Sequence, residues 1–114
     1  MRLLLAIVPI VLLSASVAHG QGWPAKPVRM VVAFAPGGST DVAVRSLAER
    51  LAPALGQPVV VENRAGAGGN VAAEYVLKQP ADGYTVLATA DSLASNPHLY
   101  KLTFDPRRDF VPVM

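Results

Sequence analysis

Val28-Arg29-Met30-Val31-Val32-Ala33-Phe34, followed at once by Ala35-Pro36-Gly37-Gly38-Ser39-Thr40-Asp41, is the stretch on which the fold turns. The first seven residues are apolar except for Arg29, with no polar alternation, which suits a strand buried on both faces. A glycine turn then leads to a helix start, where Ser39 or Thr40 can cap and Asp41 complements the helix dipole. Beyond it, Val44, Leu47, Ala48, Leu51 and Leu55 recur at the spacing of one buried helical face. Asp41, Arg45 and Glu49 stand four apart on the other side as alternating charge pairs. Pro53 is expected to kink or end this helix near Ala52, and Gly56 to terminate the segment.

The pattern repeats. Residues 58–62 form a short β-branched run, and Asn63-Arg64-Ala65-Gly66-Ala67-Gly68-Gly69-Asn70 is a second glycine turn. A helix is expected over residues 71–79, capped by Asn70 or Gly69 and stopped by Pro80. Asp82-Gly83 turns into a third strand over residues 84–90, and Asp91-Ser92 caps a short helical segment to about Tyr100. Residues 104–109 are polar and turn-like, and residues 110–113 are expected to enter the sheet as a fourth strand. Alternating strands and helices predict an α/β fold, a parallel sheet with flanking helices.

In such a sheet both glycine turns leave the carboxyl ends of neighbouring strands, where open α/β sheets bind ligands. Glycine lets backbone approach a ligand closely, and free N–H groups at a helix start favour an anion. For one such turn alone, tight strand–helix packing explains the glycines equally well. Two on adjacent strands favour a ligand, and a third exit, Thr89-Ala90-Asp91-Ser92, repeats the small, hydroxyl-bearing pattern.

Nucleotide motifs fail. The second turn has Val71 where the dinucleotide fingerprint needs its last glycine, and neither turn holds the Gly-Lys-Ser/Thr of a phosphate loop. No carboxylate pair for magnesium is evident. The first turn lacks the G-x-S-x-G of a nucleophile elbow. His98, in Asn96-Pro97-His98, reads as part of a surface turn. The expected site is therefore an anion cradle of backbone N–H groups and hydroxyls, with no metal, no cofactor and no catalytic residue.

The N-terminus reads separately. Arg2, an apolar run over residues 3–13 and a small-residue segment over residues 14–20 have the layout of a cleaved secretory signal peptide. Cleavage after Ala18 defines a signal peptide over residues 1–18; cleavage after Gly20 is the alternative. The whole chain has 10 basic and 8 acidic side chains and no cysteine. Arg107-Arg108 is the only basic pair and Asp105 and Asp109 flank it, so the basic stripe that nucleic acid requires is missing. About 95 mature residues with three or four strands leave an unpaired edge and a thin core. The mature residues accordingly read as the N-terminal part of a longer protein.

Several motifs carry a family resemblance. Trp23-Pro24-Ala25-Lys26-Pro27-Val28-Arg29, Pro36-Gly37-Gly38-Ser39-Thr40-Asp41, Leu55-Gly56-Gln57-Pro58-Val59-Val60-Val61-Glu62-Asn63-Arg64, Gly66-Ala67-Gly68-Gly69-Asn70 and Pro80-Ala81-Asp82-Gly83-Tyr84-Thr85 occur in register over nearly the whole mature chain. Together they resemble the Bug-type solute-binding receptors of tripartite tricarboxylate transporters. Ala65 stands where that family usually has proline. The resemblance implies a two-lobed periplasmic binding protein, with residues 21–114 a partial first lobe and the second lobe absent, that captures a small carboxylate without chemistry and hands it to integral membrane transporter subunits. It further implies a first-lobe wall made by Pro36, Gly37, Gly38, Ser39, Thr40 and Asp41 with Gly68, Gly69 and Asn70. Ser39 and Thr40 would offer hydroxyl and N–H groups, and Asp41 would orient the loop or a water. Ala90 joins them from the third exit. Two other readings stay open: an α/β enzyme on an anionic substrate with catalytic residues beyond residue 114, and a ligand sensor feeding a signalling partner.

Overall fold

A computed structural model describes residues 22–113. The segment read as a signal peptide, residues 1–18, lies outside the described residues. Three strands, β1 (Val28–Val32), β2 (Val59–Asn63) and β3 (Thr85–Ala88), form one parallel sheet in the order β2-β1-β3. Helices α1 (Ser39–Leu55), α2 (Asn70–Leu77) and α3 (Ser92–Leu99) follow β1, β2 and β3 respectively.

β1 is central and buried on both faces, which is why its sequence shows no alternation. Met30 and Val32 pack with Val44 of α1, while Val31, Ala33 and Ala72 of α2 form the core of the opposite face. Val31 and Val32 are fully buried. Arg29 shares the α2 face at its solvent end. Its guanidinium donates to Gln79 Oε1 at 3.2 Å and lies 3.7 Å from Glu62. The stem thus stays in the sheet while the charge reaches polar partners.

Three expectations are corrected. α1 runs through Pro53 to Leu55 and ends at Gly56, whose φ of +68° is the left-handed cap conformation. Pro53 and Glu49 are both exposed, so the Glu49 carbonyl that loses its N–H partner is left to water. Asp41 does not lie on an open charged face: it is buried, at 3% exposure. Residues 110–113 take irregular backbone, not a fourth strand. Phe110 instead packs edge-on against Phe104, with centroids 6.0 Å apart, and Val111 and Val113 are exposed. The Asp109 carboxylate accepts the Asp105 N–H at 2.8 Å, closing a local turn just before this segment.

Candidate functional site at the strand exits

Register brings three strand exits to one level. Val32 of β1 is paired with Asn63 on one side and Ala88 on the other. Just beyond, the Arg64 N–H donates to the Val32 carbonyl at 2.8 Å and the Ala33 N–H to the Ala88 carbonyl at 3.0 Å. The segments leaving β1, β2 and β3 thus start side by side at the carboxyl edge. α1 and α2 cover opposite faces, so the winding reverses beside β1, the place where such sheets hold ligands.

The first turn is fixed by a buried carboxylate. Gly37 has a φ of +85°, and its N–H donates to Asp41 Oδ2 at 2.9 Å. Arg45 Nε donates to both Asp41 oxygens at 3.0 and 3.1 Å, and Asn63 Nδ2 donates to Oδ1 at 2.8 Å. Asn63 also donates to the Phe34 carbonyl at 3.2 Å and accepts from the Arg45 guanidinium at 2.9 Å. The Gly37 N–H first, then Arg45 and Asn63, hold the Asp41 pKa down to about 2. Each of these donors favours the ionised form. Contrary to expectation, α1 starts after Gly38 with no side-chain cap from Ser39 or Thr40. Asp41 reaches back to the turn instead. Ser39 is exposed and Thr40 half-buried.

Four consecutive positive φ angles, +139°, +47°, +64° and +97° at residues 66–69, make the second turn left-handed, and the Gly69 N–H closes it on the Gly66 carbonyl at 3.0 Å ahead of α2. Gly69 is its buried residue and the N-cap of α2. A Cβ at Gly69 would stand 3.3 Å from Ala33 Cβ, 3.5 Å from Thr89 Oγ1 and 3.6 Å from Ser92 Oγ. This one glycine therefore touches material from the β1 and β3 exits together. Asn70 is buried, and its Oδ1 accepts from Asn96 Nδ2 at 2.7 Å; Asn96 Nδ2 also donates to the Gly68 carbonyl at 2.9 Å. The Asn70 side chain thus braces the turn.

At the third exit Ala90 is exposed, and Asp91 is the N-cap of α3 without a side-chain hydrogen bond. Ser92 Oγ is buried and has no hydrogen-bond partner among the described residues. An open groove of about 820 Å³ runs along α3, lined by Thr89, Ala90, Leu93, Pro97, Lys101 and Phe104 among others. It borders the third exit and is not lined by the first two turns. His98 lies on it, exposed in the last turn of α3 and not in a surface turn.

Sequence reasoning named the glycines and Asp41 but missed three positioning residues, Arg45, Asn63 and Asn96. Arg45 carried a local signal in its spacing of four from Asp41. Asn63 and Asn96 act on residues 22 and 26 positions away, which no local pattern reports. Among the described residues no group of three His, Cys, Asp or Glu side chains is placed to hold a metal ion. No helix among them is long and apolar enough to cross a membrane.

The family model described as "Tripartite tricarboxylate transporter family receptor" matches residues 43–114. This chain belongs to that receptor family. Among its relatives, Protein BugT of Bordetella pertussis is 48% identical over 95 residues, covering 81% of this chain and 29% of BugT. The chain thus spans about three-tenths of that relative's length. MatC of Rhodopseudomonas palustris, solved with bound malate, is similar in structure with a TM-score of 0.69 and 38% identity, over 80% of this chain and 32% of MatC. A second R. palustris protein, solved with adipate, has a TM-score of 0.55 and 51% identity, over 57% of this chain and 22% of its own. The tripartite tricarboxylate receptor fold here is the periplasmic binding protein type, seen in part as a three-stranded parallel sheet with flanking helices.

Proposed function

We propose that these residues form part of the first lobe of a two-lobed periplasmic receptor that captures a small carboxylate and performs no chemistry on it. The ligand sits against the strand exits. Pro36, Gly37, Gly38, Ser39 and Thr40 present N–H and hydroxyl groups from the first turn. Gly68 and Gly69 with the backbone of Asn70 present them from the second, and Ala90 lines the third. Asp41 serves by holding the first turn in shape. The observation that carries this reading is the level register of three exits in a family whose solved members include proteins bound to malate and adipate. Backbone N–H groups at helix starts suit a carboxylate because the helix dipole adds to their donor strength.

The receptor is exported by a signal peptide cleaved near residue 18 and delivers its ligand to integral membrane transporter subunits. A second lobe supplies the contacts that select one acid over another. A thermal-shift screen of the full-length protein against mono-, di- and tricarboxylates tests the reading. Ligand that binds the native state raises the melting temperature by mass action. A concentration-dependent rise with one acid, without turnover of it, supports the proposal; no rise with any acid overturns the carboxylate assignment.

A further inference from the structure

We infer that Arg64 is a positioning residue of this site: its guanidinium, laid on the Tyr75 ring, fixes where the second glycine turn presents its N–H groups to the acid. Resting on the carboxylate-receptor reading given above, this role adds a residue to it. The turn has little of its own to hold it. Residues 65–68 are exposed. Of the four residues with positive φ three are glycines, which accept many backbone conformations. The shape of the turn is therefore set where the chain enters and leaves it. Asn96 braces the exit, donating to the Gly68 carbonyl and to Asn70 Oδ1. Arg64 is the anchor at the entry.

Arg64 directly follows β2, and its side chain reaches α2. The guanidinium carbon lies 3.4 Å from the centre of the Tyr75 ring, in contact with the ring face. Nε and Nη2 approach Glu62 Oε1 at 2.7 and 2.6 Å, which holds the planar group in one orientation. Glu62 belongs to β2 and Tyr75 to α2. One guanidinium thus ties the strand before the turn to the helix after it. Tyr75 is itself fixed: it packs on the core made by Val31, Ala33 and Ala72, and Gln79 donates to its carbonyl at 3.3 Å. With 38% of the Arg64 side chain exposed, the ion pair with Glu62 alone contributes little. The flat contact with Tyr75 supplies the geometry, and a lysine cannot reproduce it.

Arg64→Lys keeps the charge beside Glu62 and removes the flat face, so it separates positioning from stability. In the ligand-free full-length protein, hydrogen exchange of the Gly69 amide, closed on the Gly66 carbonyl, is expected to quicken about fivefold or more in Arg64→Lys. The Val28 amide, bonded to the Pro58 carbonyl at the far end of β1, keeps its wild-type rate. Binding is read with the acid that gives wild type its largest thermal shift in a panel containing malate and adipate. Arg64→Lys and Tyr75→Leu each weaken it about tenfold, and the double variant is no worse than either, because both remove one contact. Tyr75→Phe, which keeps the ring, stays within about twofold of wild type; it and Arg64→Lys carry the comparison where Tyr75→Leu does not fold. A Gly69 rate that is unchanged, or that rises together with the Val28 rate, overturns the inference, as does Arg64→Lys affinity within about twofold of wild type. Failure of the carboxylate reading has a different signature, a wild-type protein that responds to no acid in the panel. The exchange comparison still decides whether Arg64 anchors the turn in that event.

Discussion

The Gly37 N–H and the Asp41 carboxylate meet at 2.9 Å across the first glycine turn. Gly37 has a φ of +85° and is exposed, whereas Asp41 is buried. The pair thus ties an exposed loop to the interior of the fold. Arg45 and Asn63 complete the carboxylate's shell, and Asn63 stands at the end of β2. Loop, helix and neighbouring strand are held by one ionised group, so the shape of the first turn depends on its charge.

That dependence has a pH signature. The Asp41 pKa falls from 3.8 to about 2 on folding. A depressed carboxylate stabilises the folded state fully above its unfolded pKa and loses that contribution as pH falls through the folded value. Asp41→Asn is therefore less stable than wild type at neutral pH. The gap between the two urea midpoints narrows below about pH 4 and closes near pH 2. Measuring both midpoints from pH 7 to pH 2 checks this, and a gap that stays constant over the range would rule out the charge as its source.

Gly69 provides a second check. With φ at +97° and Ala33 Cβ only 3.3 Å from the site of a new methyl group, Gly69→Ala combines backbone strain with crowding. The left-handed conformation alone costs a non-glycine residue about 1–2 kcal/mol. Gly56 has a φ of +68° but open space around it, so Gly56→Ala carries the strain without the crowding. Denaturant titration is expected to show a larger loss for Gly69→Ala than for Gly56→Ala; equal losses would mean that the exits are not packed against Gly69.

Asn96 and Asn70 test the brace behind the second turn. Asn96→Leu strips Asn70 Oδ1 and the Gly68 carbonyl of their shared donor, and leaving a buried polar group unpaired costs about 1–3 kcal/mol. In a double-mutant cycle with Asn70→Ala, the two losses are expected to be strongly non-additive because the residues are in contact. Additive losses would show that the bond contributes nothing.

The central strand was legible because burial on both faces leaves an apolar run, and α1 because Val44 and Ala48 mark its inner face. The two glycine turns and the third exit at Thr89-Ala90 followed from that alternation. What could not be read was non-local. The burial of Asp41 depends on Asn63, and the bracing of Asn70 depends on Asn96, partners that only the packed sheet brings near. Residues 110–113 failed for a related reason: their valines favour a strand, but the segment is held by the packing of Phe110 on Phe104 and follows the turn closed between Asp105 and Asp109, neither of which strand propensity reports. Pro53 was overruled because its helix turn faces water.

Gly38 allows the most direct test of the ligand site. Its φ is −73°, and a Cβ there would make only ordinary contact, 3.5 Å from the Ala35 carbonyl. Gly38→Leu should therefore fold as wild type does while placing a bulky side chain beside the N–H groups of the first turn. The decisive measurement is a calorimetric titration of full-length wild type and Gly38→Leu, matched for melting temperature, with the acid that most stabilises wild type. Saturable binding by wild type and none by Gly38→Leu is the expected result. Equal affinity in the two proteins would contradict a carboxylate site at the strand exits.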